Sequence, residues 1–270
     1  MNKEIQPINV GDITIRPDQN VMMAGPCAIE SEDQMNVIAH AVVKMGAEII
    51  RGGAFKPRTN PDAFQGLGEE GLRYIFEAGR ELGVPVVTEV MNEGQIELIK
   101  KAADGHPFIF QVGSRNAQNY DLLSILGKTG IPVLLKRGKG SNIQEMIGAA
   151  QYVMSGGSPV LMCERGIVSF NSGDPDKAAG RFTPDHLAVL RFQEEGFITI
   201  FDPSHAAGRK DHVVPLALSG VAIGANGLIV EVHHDASNAL CDGKQAIDFS
   251  QFQQLMTRAR AIEQIVKGDI

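Results

Sequence analysis

Nothing in this 270-residue sequence approaches the roughly 20 consecutive apolar residues that a helix needs to cross a bilayer. The stretch Met1-Asn2-Lys3-Glu4-Ile5-Gln6-Pro7 has neither the apolar core of a secretion signal nor a basic transit pattern. A membrane partner is therefore not expected. Cysteine is scarce: Cys27, Cys163 and Cys241 are odd in number, far apart and in no CxxC pair. That argues against a disulfide framework and for the reducing cytoplasm. The compact zinc spacings are missing. No GxGxxG follows the first apolar run, so a dinucleotide-binding reading loses its support. A surplus of positive charge is missing too. The net charge of −7 argues against nucleic acid as a partner, so any anionic ligand must be held by a local basic pocket.

What is present is a globular composition, 43% hydrophobic and 21% charged, of a size that suits one α/β barrel. Short apolar runs recur at 21–24, 48–51, 84–88, 108–112, 132–135, 160–163, 198–201 and 228–231. Their lack of polar alternation predicts strands of a parallel sheet buried on both faces. Helical patterns separate them. Capping boxes are expected at Ser31-Glu32-Asp33-Gln34 and Ser141-Asn142-Ile143-Gln144. Gly46, Gly83, Gly130, Gly157, Gly196 and Gly227 precede the next strands, as where a helix ends and the chain turns back. About eight such units predict a (β/α)8 TIM barrel over residues 1–270 as one domain. Residues 1–20 form an N-terminal extension, a β-hairpin over Ile8–Ile15 that turns near Gly11-Asp12. A turn-rich loop is expected over 171–176.

Barrel enzymes place their chemistry at the C-terminal ends of the strands. Those ends carry Cys27, Arg51, Lys56-Pro57-Arg58, Glu89, Ser114-Arg115, Lys136-Arg137, Glu164-Arg165, Asp202, His205, Glu231 and His233. In one cavity, Arg51, Lys56, Arg58, Arg115, Lys136 and Arg165 would crowd positive charge that only a polyanionic ligand relieves. Any one of them could instead lie on the surface, or pair with Glu89 or Glu164. Cys27, His205, Glu231 and Asp242 form a mixed donor set of the kind that suits Mn, Fe, Co or Zn more than Mg or Ca. Taken singly, Cys27 reads as a small buried hydrophobe and His205 as a hydrogen-bonded loop residue. His233 and His234 stay open as alternative ligands or neighbours of the ligands. His40, His106, His186 and His212 are expected to be solvated.

At these residues the chain resembles the 3-deoxy-D-arabino-heptulosonate 7-phosphate (DAHP) synthases. The likeness is strongest to the compact subgroup that is also similar to the 3-deoxy-D-manno-octulosonate 8-phosphate (KDO8P) synthases. The matching motifs are 24–31 (AGPCAIES), 51–59 (RGGAFKPRT), 112–115 (VGSR), 135–138 (LKRG), 163–167 (CERGI), 202–206 (DPSHA) and 229–233 (IVEVH). The resemblance implies Cys27, His205, Glu231 and Asp242 as ligands of a divalent metal, Mn²⁺ first and Fe²⁺, Co²⁺ or Zn²⁺ as alternatives. It implies phosphoenolpyruvate on Arg51, Lys56, Ser114, Arg115, Lys136 and Arg165, with Ser114 acting through its backbone. It places Arg58 and Thr59 near the phosphate of erythrose 4-phosphate, and gives Lys56, His205 and Cys27 catalytic roles. KDO8P synthases usually carry Lys-Ala-Asn-Arg where this chain has Lys56-Pro57-Arg58-Thr59. A cytoplasmic homotetramer serving the shikimate pathway is also implied. No regulatory segment is recognisable at either end, so strong feedback inhibition is not expected. The chain departs from the subgroup at His234 (usually Pro), at 236–240, at Cys241 (often Ser) and at 172–179, which looks like an insertion before Arg181-Phe182-Thr183. The competing readings are a KDO8P synthase using arabinose 5-phosphate, a sialic acid synthase-like enzyme, and a non-catalytic sugar-phosphate-binding barrel.

Overall fold

A computed structural model describes residues 3–56 and 62–268. The chain opens with a hairpin, β1 (Ile8–Val10) against β2 (Ile13–Ile15), paired antiparallel with Ile8 opposite Ile15. Eight parallel strands follow: β3 (Val21–Gly25), β4 (Ile49–Arg51), β5 (Val86–Val90), β6 (Phe108–Val112), β7 (Val133–Lys136), β8 (Val160–Glu164), β9 (Ile198–Phe201) and β10 (Gly227–Glu231). β10 pairs with both β9 and β3, in register Gly227 to Val21 and Glu231 to Gly25, and so closes the barrel. The helices are α1 (Glu32–Lys44), α2 (Glu69–Leu82), α3 (Glu93–Ala103), α4 (Tyr120–Gly127), α5 (Ile143–Met154), α6 (His186–Glu194), α7 (Pro203–Ala207), α8 (Lys210–Ala222) and α9 (Phe249–Lys267). The expected (β/α)8 barrel and hairpin are both present. Among the described residues, no helix is long and apolar enough to cross a membrane.

Side chains alternate across each strand, so every second residue points into the barrel. Ile49, Val87, Ile109, Leu134, Leu161, Ile198 and Ile229 fill the interior together with Val21, Met23 and the hairpin residues Ile8, Val10 and Ile15. The opposite parity, including Ile50, Val86, Phe110, Leu135, Met162, Phe201 and Val230, packs outward against the helices. Two steps beyond the interior layer the same parity becomes polar: Arg51, Glu89, Gln111, Lys136 and Glu231. The strand pleat therefore aims these groups into one mouth.

Three local expectations are corrected. Ser31 caps α1 by accepting from Gln34 N at 3.0 Å, but the Gln34 side chain accepts from Glu30 N and donates to Ala28 O instead of closing a box. The capping box of α5 sits one residue later than expected. Asn142 Oδ1 accepts from Glu145 N and Glu145 Oε2 from Asn142 N, while Ser141 O accepts from Arg137 Nε. The glycine that turns the chain after α8 is Gly224, with φ +90°, and Gly227 lies inside β10. Two histidines are also less exposed than expected. His106 Nε2 donates to Val84 O at 2.9 Å, and His186 stacks on Phe201 with centroids 5.4 Å apart.

Candidate active site

Cys27 lies just past β3, His205 on α7, Glu231 at the end of β10 and Asp242 on the loop that follows. One donor atom from each lies within 4.8 Å of all the others. Local sequence explains the placement of His205. Asp202 caps α7 by accepting from His205 N at 3.0 Å, and Pro203 at the first helical position presets the turn. The other oxygen of Asp202 lies 2.8 Å from His205 Nδ1 and 2.6 Å from Lys136 Nζ. Burial alone would raise the Asp202 carboxyl, yet His205 and Lys136 hold it well below the usual carboxylate range.

The two carboxylates of the cluster are likewise held ionised. Burial opposes this in both, but His205 and Arg51 lower Glu231, and His205, Arg181 and Lys56 bring Asp242 down to about 2. The Cys27 thiol is pushed up by its hydrogen bond with Cys241, 3.4 Å between sulfurs, and by burial. One thiol, one imidazole and two ionised carboxylates at these separations fit a first-row divalent cation, whose binding would displace the thiol proton. His233 and His234 stay outside this cluster. Their rings stack on each other, and His233 Nδ1 accepts from Asp235 N while Gln34 meets Nε2.

Beside the cluster is a cavity of about 180 Å³, lined among the described residues by Arg51, Lys56, Arg115, Lys136, Lys139, Arg165 and Arg181 and by two acids, Glu89 and Asp242. Among the described residues, seven cations against two anions at this mouth reverse the sign of the chain's net −7. Arg51 donates to Pro26 O at 2.7 Å and to Glu231 Oε1 at 3.1 Å, and Lys56 Nζ donates to Cys27 O at 3.1 Å and to Cys27 Sγ at 3.2 Å. Among the described residues, Arg51 Nε and Arg165 Nη1 are buried with no partner. An unmet buried guanidinium nitrogen is costly, and an anion in the cavity would answer it. Arg165 lies over the Phe182 ring at 4.3 Å, and burial lowers its pKa. The Ser114 hydroxyl is already committed, donating to Arg137 O at 2.5 Å. Gly113 follows from crowding: a Cβ there would lie 2.0 Å from Glu89 Oε1.

Most of the expected residues meet here, but among the described strand-end groups Arg137, Glu164 and His233 do not. Arg137 and Glu164 have the outward parity. Arg137 Nη1 donates to Glu164 Oε2 at 2.9 Å and to Asp185 Oδ2 at 2.8 Å. Glu164 Oε1 also accepts from Gly166 N at 2.7 Å and Asp185 N at 3.2 Å, which pins both ends of the loop between β8 and α6. Among the described residues, neither alternative partner, Glu89 or Glu164, forms an ion pair with the basic set: Arg51 meets Glu231 and Lys136 meets Asp202. Arg58 and Thr59 lie outside the described residues. Motif reading missed Lys139, Arg181, Phe182, Gln111 and Cys241 as lining residues. The Arg181-Phe182 pair, flagged only as flanking the 172–179 segment, was the available signal.

The fold and site define the class first: a (β/α)8 barrel whose mouth joins a cation-type donor cluster to a polycationic anion pocket. The chain belongs to the DAHP synthetase I family, which it matches over residues 4–267. It is 41% identical over 268 residues to a phospho-2-dehydro-3-deoxyheptonate aldolase of Thermotoga maritima, covering 97% of this chain and 76% of the relative. A crystal structure of that activity from Thermotoga maritima superimposes with a TM-score of 0.90 at 40% identity, over 98% of this chain and 75% of that one. A truncated 3-deoxy-D-arabino-heptulosonate 7-phosphate synthase from the same organism gives 0.87 at 38% identity, over 98% and 94%. A 2-dehydro-3-deoxyphosphooctonate aldolase of Syntrophotalea carbinolica is 30% identical over 283 residues, covering 97% and 98%.

Proposed function

We propose that this chain, as one barrel domain, is a 3-deoxy-7-phosphoheptulonate synthase. It joins C3 of phosphoenolpyruvate to the aldehyde carbon of D-erythrose 4-phosphate, water adds at C2, and inorganic phosphate leaves. The observation that carries the reading is the cavity in which unmet buried guanidinium nitrogens stand beside the Cys27, His205, Glu231 and Asp242 donors. The higher identity to the heptulosonate relative than to the octulosonate relative supports the choice of aldose.

Arg51, Arg115, Lys136 and Arg165, with the backbone of Ser114, hold the phosphate and carboxylate of phosphoenolpyruvate in attack geometry. Cys27, His205, Glu231 and Asp242 would hold a divalent cation, Mn²⁺ in our reading and Fe²⁺, Co²⁺ or Zn²⁺ otherwise, which would supply Lewis acidity for the aldehyde oxygen. Lys56 is the proton carrier. Burial would lower its pKa, but Cys27 and Glu89 raise it, so Lys56 enters the reaction as an ammonium able to give a proton to the forming alcohol. Arg58 and Thr59 clamp the aldose phosphate. We further read the protein as a cytoplasmic homotetramer acting in aromatic amino acid biosynthesis.

Phosphate release measured with phosphoenolpyruvate and a panel of aldoses tests the reading. Erythrose 4-phosphate is expected to give the highest kcat/KM, and equal values for arabinose 5-phosphate would overturn the aldose assignment.

A further inference from the structure

Two side chains outside the expected site brace the carboxylates of the donor cluster. Gln245, only 2% exposed, donates from Nε2 to Glu231 Oε2 at 2.5 Å. Its Oε1 accepts from Arg181 Nη1 at 2.9 Å, and the same nitrogen lies 3.5 Å from Asp242 Oδ1. Chemistry fixes the orientation of this amide. A guanidinium only donates and a carboxylate only accepts, so the group between them must turn oxygen to one and nitrogen to the other. A leucine would leave both neighbours unmet, and a glutamate would set a second negative charge against Glu231.

The arrangement is partly local. Gln245 N donates to Asp242 O at 3.1 Å, and Asp242 adopts φ +52°, so ligand and brace leave one tight turn three residues apart. Arg181 arrives from the other side, on the return arm of the β8–α6 loop. The next residue on that arm, Phe182, carries the Arg165 guanidinium on its ring. With Oε2 taken by Gln245, Glu231 turns its Oε1 toward His205 Nε2, 3.4 Å away.

We propose that Gln245 and Arg181 are positioning residues for the metal. Gln245 sets the rotation of Glu231, Arg181 holds Gln245 and steadies Asp242, and together they determine how tightly the four donors retain a divalent cation. The proposal rests on reading those donors as a metal centre. Because Arg181 and Phe182 are adjacent, it also joins the metal half of the cavity to the anion half through one dipeptide.

The test uses full-length protein stripped by a chelator and titrated with Co²⁺. The thiolate-to-cobalt charge-transfer band and the d–d bands are recorded, and Kd is obtained by competition with a chromogenic chelator. The unmodified protein comes first: no stoichiometric cobalt spectrum there would defeat the metal reading itself. Given a loaded wild type, Gln245→Met should weaken Co²⁺ binding about 10- to 100-fold and change the d–d bands. A folded Gln245→Met protein with wild-type Kd and spectrum would overturn the proposal. Should that variant fail to fold, Arg181→Ala carries the test, since the Arg181 side chain is 33% exposed. It should weaken Co²⁺ binding about 10-fold with an altered spectrum, with partial recovery in Arg181→Lys. Wild-type behaviour of Arg181→Ala would equally overturn the proposal.

Discussion

The two ends of the barrel interior are built from the same strands and differ in almost every physical respect. Where the strands begin, Ile49, Val87, Ile109, Leu134 and Ile229 close on one another and on the hairpin. Two residues further along, Arg51, Glu89, Gln111, Lys136 and Glu231 occupy the same inward parity. The aliphatic end gains stability by removing apolar surface from water, at about 25 cal/mol per Å². The polar end has charges buried in tight pairs, an arrangement that contributes little to stability and is strongly destabilised when one partner is lost. Stability and chemistry are thus divided along each strand by a single step of the pleat.

Substitutions at the two ends should separate these properties, and the largest effect belongs to the proposed metal donors. Cys27→Ala should reduce activity to background and remove most bound metal, with circular dichroism unchanged; full turnover by verified metal-free protein would defeat metal dependence. At the other end, Ile109→Ala deletes a fully buried side chain and should lower unfolding free energy by roughly 2–5 kcal/mol in denaturant titration. Its kcat/KM, measured where it remains folded, should stay near wild type; a large catalytic loss would show that the two ends are not independent. Arg165→Ala should behave in the opposite way. Loss of charged hydrogen bonds worth about 1.5–3 kcal/mol should weaken phosphoenolpyruvate use about 10- to 150-fold. Removing a buried, partly unmet guanidinium should leave the melting temperature unchanged or raised, and a clear fall would mean that Arg165 serves the fold. The smallest effect is expected for Arg58→Ala, which should weaken aldose use at least ~10-fold by the same reckoning, with phosphoenolpyruvate affinity nearly unchanged. An equal loss for both substrates would place Arg58 elsewhere in the reaction.

Much of this comparison was legible in the sequence, because short unalternating apolar runs ending in charged residues are read directly from residue order. All eight barrel strands fall where those runs predict, within a residue or two at their ends. What was not legible depends on direction or on tertiary partners. Arg137 and Glu164 sit one residue from Lys136 and Arg165, and that single step turns them to the outer face, where they pair with each other. Nothing in the runs themselves states which of two adjacent charges points inward. Gln245 and Arg181 meet across 64 residues, a contact that only the closed barrel creates. The shift of the α5 cap from Ser141 to Asn142 has a smaller cause: Asn142 and Glu145 satisfy each other's backbone N–H groups, an option equivalent in pattern to the one expected.

The grip of Glu164 on both ends of the β8–α6 loop has a consequence in polymer terms. When the ends of a loop are fixed, its closure entropy grows only with the logarithm of its length, about 0.6 kcal/mol for each doubling. Residues added at 172–179 therefore cost little, provided that Gly166 N and Asp185 N stay on the same carboxylate. The tip is left free to diverge, with Phe170 99% exposed, while Arg165 at the start of the loop and Arg181 near its end keep their places in the cavity. A single outward-facing carboxylate thus allows the loop to change length without changing what it delivers.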